Sequence, residues 1–183
     1  ALTPGGVARY AAAFGALSIA NKPSKAIVVG RDSRFSGPMF HRIVLGTLQL
    51  VGCDVIDIGL TTTPGCQLAV EYHHAAGGLM LSASHNPIDW NALKFIGPSG
   101  LFLSADEGAE MRRLMETGVP YATWDNLGKT HFDGEEIARH LQAVLRLPFI
   151  NAEAIRARGF GVAYAACRGA GGAAVPPLLQ LTG

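Results

Sequence analysis

Hydrophobic and polar positions follow two periods along the chain, one typical of helices and one of short buried strands. Near the N-terminus, apolar side chains recur at helical spacing after Thr3 and Pro4, which supply an N-cap and a first-turn proline. This pattern predicts a helix to about Ala20. Short β-branched or apolar runs then predict strands buried on both faces. The predicted strands span residues 26–29, 55–58, 77–82 and 93–96.

Helix-start signals lie between these strands. Pro38 opens one predicted helix, and Thr61-Thr62-Thr63-Pro64 repeats the cap-plus-proline signature. Ser104 and Glu107 match a capping box, and a further helix around residues 137–145 ends before Pro148. Strands that alternate with helices predict an α/β fold in which a mainly parallel, mixed sheet is flanked by helices in three α/β/α layers.

The last part of the chain predicts the start of another unit. Residues 160–166 read as a strand, 169–172 as a turn and 175–181 as a helix. A strand-turn-helix unit needs a further parallel strand to complete its crossover. We therefore expect residues 1–148 to form one α/β/α domain and residues 149–183 to be the truncated start of a second α/β domain. The alternative is that the strand at 160–166 completes the first sheet.

Charge and composition argue against two classes of partner. The 183 residues carry a formal net charge of only +1. This small charge gives no reason to expect binding to nucleic acid or to a membrane surface. No apolar run approaches the roughly 20 residues that cross a bilayer. The N-terminus lacks a signal-peptide pattern, and three widely spaced cysteines predict buried, reduced thiols. We expect a cytoplasmic protein.

Chemistry-bearing residues follow the predicted strands, where ligands bind in open α/β sheets. The loop after the first strand reads Gly-Arg-Asp-Ser-Arg-Phe-Ser-Gly over residues 30–37. Thr63-Pro64 follows the second strand. The third strand leads into Ser-Ala-Ser-His-Asn-Pro over residues 82–87, and Lys94 lies ten residues beyond Ser84.

These motifs, in this order and spacing, resemble the α-D-phosphohexomutases. That family includes phosphoglucomutase, phosphomannomutase and phosphoglucosamine mutase. The resemblance extends from about Thr3 to Met115, and faintly from Gly159 to Gly183. It implies an enzyme, an intramolecular phosphotransferase that interconverts 1-phospho and 6-phospho sugars through a phosphoserine and a bisphosphorylated intermediate.

The resemblance also implies roles for individual residues. Ser84 would carry the phosphoryl group, and Lys94 would assist proton transfer or stabilise charge. Four others would contact phosphate or substrate: Arg31, Arg34, His85 and Asn86. From the residues alone, Arg34 could instead pair with Asp32 or Glu107. In the full-length enzyme Mg²⁺ would bind the Ser84 phosphate, but the family's Asp ligands are absent from this chain.

The implied substrate is a hexose or hexosamine phosphate. Ser82 stands where phosphomannomutases commonly have threonine, which slightly favours a phosphoglucosamine mutase over a phosphoglucomutase or phosphomannomutase. The metal loop, the sugar-selecting loop and the phosphate clamp are missing, so the fragment alone is expected to be inactive. Ala165 and Arg168 depart from the family pattern, which usually has Asp and a small polar residue or His there.

Three other classes of protein are compatible with parts of the sequence. Gly169, Gly171 and Ala174 match a dinucleotide-binding G-x-G-x-x-A pattern in letter. Ser84 and His85 could form part of a serine hydrolase, although no G-x-S-x-G elbow is present. The third class is a non-catalytic phosphosugar-binding fragment.

Overall fold

The structure, a computed structural model, describes residues 2–183. Within that range seven helices and five strands follow one another along the chain. They are α1 (Pro4–Ile19), β1 (Ala26–Arg31), α2 (Gly37–Val51), β2 (Asp54–Leu60), α3 (Thr63–Tyr72), β3 (Gly77–Leu81), β4 (Leu93–Ile96), α4 (Ala105–Thr117), β5 (Thr130–Phe132), α5 (Glu136–Leu145), α6 (Ala152–Arg158) and α7 (Gly171–Thr182). Across the described residues, no helix is long and apolar enough to cross a membrane.

The strands form one mixed sheet in the order β4-β3-β1-β2-β5. The pairs β3–β1, β1–β2 and β2–β5 are parallel, whereas β4 runs antiparallel to β3. The carboxyl ends of β1, β2 and β3 therefore meet at one edge of the sheet. The predicted fold class is confirmed.

Helices cover both faces of the sheet in three layers. On one face α1, α2 and α4 bury Phe14, Leu48 and Met111 against alternate strand residues such as Ile27 and Val29. On the other face α3 packs against Val28, Met80 and Ile96, which point the opposite way. The two-residue period of each strand thus supplies two separate cores, because both faces of this sheet are buried.

Local signals place the helix starts as predicted. The side chains of Thr3 and Thr62 accept hydrogen bonds from Gly6 N and Gly65 N. Ser104 and Glu107 complete the capping box, since each side chain bonds the other's backbone N–H. These caps satisfy first-turn N–H groups that have no partner inside the helix.

After residue 120, two expectations were wrong and two elements had not been predicted. Residues 160–166 form no strand and are largely exposed, because they lie against no free edge of the sheet. The fifth strand is instead β5, and α6 also lacked a sequence prediction. The last helix begins at Gly171 rather than at 175, with Pro176 and Pro177 inside it.

The cysteines differ in exposure. Cys53 and Cys66 are buried, as expected, and burial raises the pKa of each thiol to about 12. Cys167 is exposed, so the expectation of a buried thiol was wrong there. It lies on the turn before α7, where no core is available to cover it.

Candidate functional site

A cleft of about 580 Å³ opens where β1, β2 and β3 end. Three strand-following loops and the turn before α7 form its walls. The lining residues are Asp32–Phe35, Thr61–Thr63, Met80, Ser82, Ser84, Asn86, Ile88 and 167–170. This is the edge of the sheet at which the sequence predicted a site.

Ser84 lies exposed on the loop after β3, in a left-handed backbone conformation with φ 56°. Its backbone N–H donates to the hydroxyl of buried Ser82 at 3.1 Å. The Ser84 Oγ is 3.5 Å from Nδ1 of His85, at the limit of a hydrogen bond. A non-glycine residue with positive φ costs free energy and is often found at functional positions.

Arg34 binds the loop that carries Ser84 rather than facing open solvent. Its Nη1 donates to the carbonyls of Pro87 at 2.6 Å and Trp90 at 2.8 Å. Its Nη2 donates to the carbonyls of Ser84 at 2.9 Å and Asn86 at 2.7 Å. The Arg34 Nε donates to Asp32, one of the two partners, Asp32 or Glu107, that the residues alone suggested.

A second link joins the same two loops. The Asn91 side-chain amide donates to the Ser36 hydroxyl at 3.0 Å, and its oxygen accepts from Ala92 N at 2.9 Å. The loop after β1 and the loop after β3 are therefore fastened at two points, on either side of the Pro87–Trp90 turn.

Lys94 reaches the same wall of the cleft from strand β4. It pairs with Met80 in the antiparallel register, and its Nζ donates to Thr63 Oγ1 at 3.2 Å. Lys94 is not itself among the residues that line the cleft, but its hydrogen-bond partner Thr63 and its register partner Met80 both are.

Like Lys94, the predicted site residues Arg31 and His85 are not among those that line the cleft. Arg31 donates to the carbonyl of Asp32 at 3.2 Å, and its Cδ lies near Gly37 at the start of α2. It also lies close enough to Asp57 to help lower the pKa of that carboxyl. Burial raises the Asp57 pKa, but His41, the Gly59 N–H and Arg31 together outweigh burial. The His85 ring is exposed beside Ser84.

A buried carboxylate supports the Thr61–Thr63 wall from behind, which the sequence reading missed. Glu136 at the start of α5 accepts from the Thr61 hydroxyl at 2.6 Å. Two glycines make room for this arrangement. A Cβ on Gly65 would overlap the Glu136 carboxylate, and a Cβ on Gly30 would lie 2.6 Å from Thr61.

The turn at 167–170 closes one side of the cleft, and this too was missed. Cys167 and Arg168 both have positive φ, at 48° and 57°, and Arg168 is exposed. The only sequence signal for this turn was that Arg168 departs from the family pattern. Its position in the cleft wall depends on how residues 149–183 fold, which neighbouring residues do not indicate.

The side chains described here do not by themselves form a magnesium site. Over residues 2–183 no group of three or more His, Cys, Asp or Glu side chains converges. Asp32 lines the cleft, but its two oxygens accept from the Arg34 backbone N–H and the Arg34 Nε. Magnesium prefers carboxylates together with phosphate and water, so a donor set of hydroxyls and one engaged carboxylate does not fit it.

The described residues lack features that a dinucleotide-binding protein and a serine hydrolase each require. A dinucleotide-binding glycine motif directly follows a strand, but the element before Gly169 and Gly171 in the described residues is the helix α6. Among hydrolases, the serine and its base need a third group that orients the base. His85 makes no side-chain hydrogen bond other than the one to Ser84 in the part of the chain that the structure describes.

Comparison with known proteins gives consistent matches. Residues 1–121 match the sequence model of the phosphoglucomutase/phosphomannomutase α/β/α domain I. A phosphoglucomutase/phosphomannomutase from Thermococcus kodakarensis is 32% identical to this chain. The match covers 100% of this chain and 40% of that protein. A phosphoglucosamine mutase from Bacillus velezensis is 35% identical, over 67% of this chain and 28% of that protein.

A solved structure gives the same result for the fold. A protein from Thermus thermophilus that has been assigned as a phosphomannomutase superposes with a TM-score of 0.69 at 28% identity. The match covers 85% of this chain and 34% of that one. The chain thus spans well under half the length of each of these three relatives.

Proposed function

Since this chain belongs to the phosphoglucomutase/phosphomannomutase family of α-D-phosphohexomutases, we propose that it is the phosphoserine-bearing front part of such a mutase. Residues 1–148 form its first domain in this proposal, and residues 149–183 begin the second. The observation that carries the proposal is the position of Ser84, which is exposed and has a strained backbone in the lining of this cleft.

In the proposed reaction, Ser84 carries a phosphoryl group between two positions of one sugar. The Ser84 Oγ–P bond breaks as a sugar hydroxyl of a hexose or hexosamine monophosphate forms a new O–P bond. The other phosphoryl group of the bisphosphorylated sugar then returns to Ser84. Such transfer depends chiefly on positioning and on charge stabilisation around the moving oxygens.

Lys94 is the residue we assign to the reacting hydroxyl. Its ammonium group donates to Thr63, a residue of the cleft wall, and this contact supports a role in stabilising negative charge or in moving the hydroxyl proton. Asn86 lines the cleft and His85 flanks Ser84, which suits both as hydrogen-bond donors to phosphate oxygens. Arg31 would reach the cleft only after its side chain rotates away from Asp32.

Magnesium would supply charge neutralisation at the Ser84 phosphate in this family. The carboxylates that such an ion requires are not brought to the cleft by the described residues. The chain on its own is therefore proposed to hold the phosphoryl carrier without a complete catalytic site.

The test of this proposal is the covalent state of Ser84. The complete gene product, purified from cells, should contain a species heavier by one phosphoryl group, and peptide mapping should place that group on Ser84. Ser84→Ala should remove the added mass and nearly all mutase turnover, whereas Ser99→Ala, in an exposed turn, should change neither. A phosphoryl group mapped elsewhere, or full turnover by Ser84→Ala, would refute it.

For the sugar, we propose a hexosamine phosphate, on the strength of Ser82 in the Ser84 loop. The expected result is a kcat/KM for glucosamine phosphate that exceeds those for glucose and mannose phosphates, measured with the complete gene product. A higher kcat/KM for glucose or mannose phosphate would assign the protein to the phosphoglucomutase or phosphomannomutase branch instead.

A further inference from the structure

Arg34 has a buried guanidinium group whose hydrogen-bonding capacity is fully used. Its side chain is only 10% exposed. A guanidinium has five N–H donors, and here one donates to Asp32 while four donate to backbone carbonyls of the Ser84 loop. No donor is left for a phosphate oxygen in this arrangement.

The loop depends on this group for its shape. Four carbonyl oxygens of residues 84–90 point toward one centre, and their dipoles repel one another unless a cation lies between them. The loop itself supplies few backbone hydrogen bonds, namely Asn86 N to Ala83 O and Trp90 N to Pro87 O. The guanidinium therefore provides most of the polar contacts that hold the loop in place.

The guanidinium is in turn fixed to the centre of the sheet. Both oxygens of Asp32 accept from Arg34, one from its backbone N–H and one from Nε. Asp32 N donates to Leu81 O, directly beyond the β1–β3 pairing. A chain of hydrogen bonds thus connects the sheet to Ser84 through Asp32 and the Arg34 guanidinium.

We propose that Arg34 is a positioning residue, which holds Ser84 in its left-handed conformation through the loop carbonyls and does not bind substrate phosphate. The part of this inference that concerns catalysis rests on the proposed function. The structural part, that Arg34 holds the loop, stands independently of what Ser84 does.

The structural part is tested by amide hydrogen exchange on the full chain. In Arg34→Met and Arg34→Lys, exchange at Ser84, Asn86 and Trp90 should accelerate about tenfold or more, because a lysine cannot reproduce the planar fork. Arg42→Met removes an exposed arginine from α2 and should leave these amides unchanged. Unchanged exchange in the Arg34 variants would overturn the proposal. If Arg34→Met fails to fold, Arg34→Lys alone decides.

The catalytic part is tested by steady-state kinetics of the complete gene product. A misplaced nucleophile should lower kcat by about 100-fold while KM stays within about twofold, and lysine should not restore kcat. If Arg34 bound substrate phosphate, lysine would restore much of the activity and methionine would chiefly raise KM, which would overturn the assignment. Absence of turnover in the wild-type protein would contradict the proposed function, while the exchange result would still decide the role of Arg34.

Discussion

The backbone of Ser84 adopts a conformation that serine disfavours, and surrounding contacts hold it there. Serine has no steric freedom to favour φ 56°, so the surrounding contacts must hold the residue there. Those contacts are the Ser82 hydroxyl on its N–H and the Arg34 guanidinium on its carbonyl. Fixed in this way, the side chain projects from the tip of the turn into the cleft.

This strain predicts an inversion of the usual order of two substitutions. Ser84→Gly should be more stable than Ser84→Ala by about 1 kcal/mol in the free energy of unfolding, since only glycine adopts positive φ without steric cost. Urea denaturation of both variants measures the difference. At Ser99, which has no positive φ, the glycine variant should be the less stable one. Equal stability of the two Ser84 variants would show that the backbone there is unstrained.

The candidate site was predictable where its residues are close in sequence. Ser84 and its neighbours form one contiguous motif, and Lys94 follows at a fixed spacing. Asp32 was anticipated as a partner of Arg34, but the loop carbonyls were not, because backbone groups some 50 positions later carry no side-chain signal. The hydrogen bond from Thr61 to Glu136 could not be predicted for a similar reason, since it depends on α5 packing beside a residue 75 positions earlier.

At the scale of elements, prediction succeeded where short-range signals suffice. Caps and first-turn prolines fixed the starts of α1, α3 and α4, because those contacts involve neighbouring residues. It failed for β5, whose three residues are all exposed and lack an apolar run. The opposite error occurred at 160–166, where an apolar run suggested a strand although no sheet edge lies beside it.

The segment that leads into β5 can pass close to the backbone of Cys53 only because residue 128 is a glycine. A Cβ on Gly128 would overlap the carbonyl oxygen of Cys53, which is backbone and cannot move aside cheaply. Gly128→Ala should lower the free energy of unfolding by about 2 kcal/mol or more and weaken protection of the Val55 amide, which donates to Lys129 O. Gly46→Ala has open space in mid-helix and should instead gain about 1 kcal/mol. Similar effects at both sites would contradict this account.

At the scale of the whole molecule, the end that carries β5 and α5 is attached to α3 through one buried carboxylate. Asp133 accepts from His73 at 2.7 Å, from Arg139 and from the Glu135 N–H. Burial raises the pKa of Asp133, but these hydrogen bonds outweigh burial and hold it below its ordinary value of 3.8. His73 is the C-cap residue of α3, so its contact with Asp133 joins the end of that helix to the segment before α5.

The lowered pKa of Asp133 predicts a specific acid sensitivity. A carboxyl whose folded-state pKa is depressed stabilises the fold above pH 3.8, and this contribution is lost as pH falls through the lower folded-state value. Asp133→Asn should therefore cost about 2 kcal/mol near neutral pH, with the difference from wild type shrinking below pH 3.8. Chemical denaturation across pH measures it. Glu116→Gln, at an exposed site in α4, should give no such pH-dependent difference.

The strand order also sets the sequence in which the sheet can assemble while the chain is being synthesised. Of the five strands, β1 leaves the ribosome first and lies at the centre, and β2, β3 and β4 can join it once residue 96 has emerged. β5 reaches β2 only later, with Lys129 closing a span of 75 residues back to Asp54. Contacts of such long range form slowly, so the outer edge of β2 is the last to be covered. In a stalled nascent chain, that uncovered edge is where pairing with a neighbouring chain would begin.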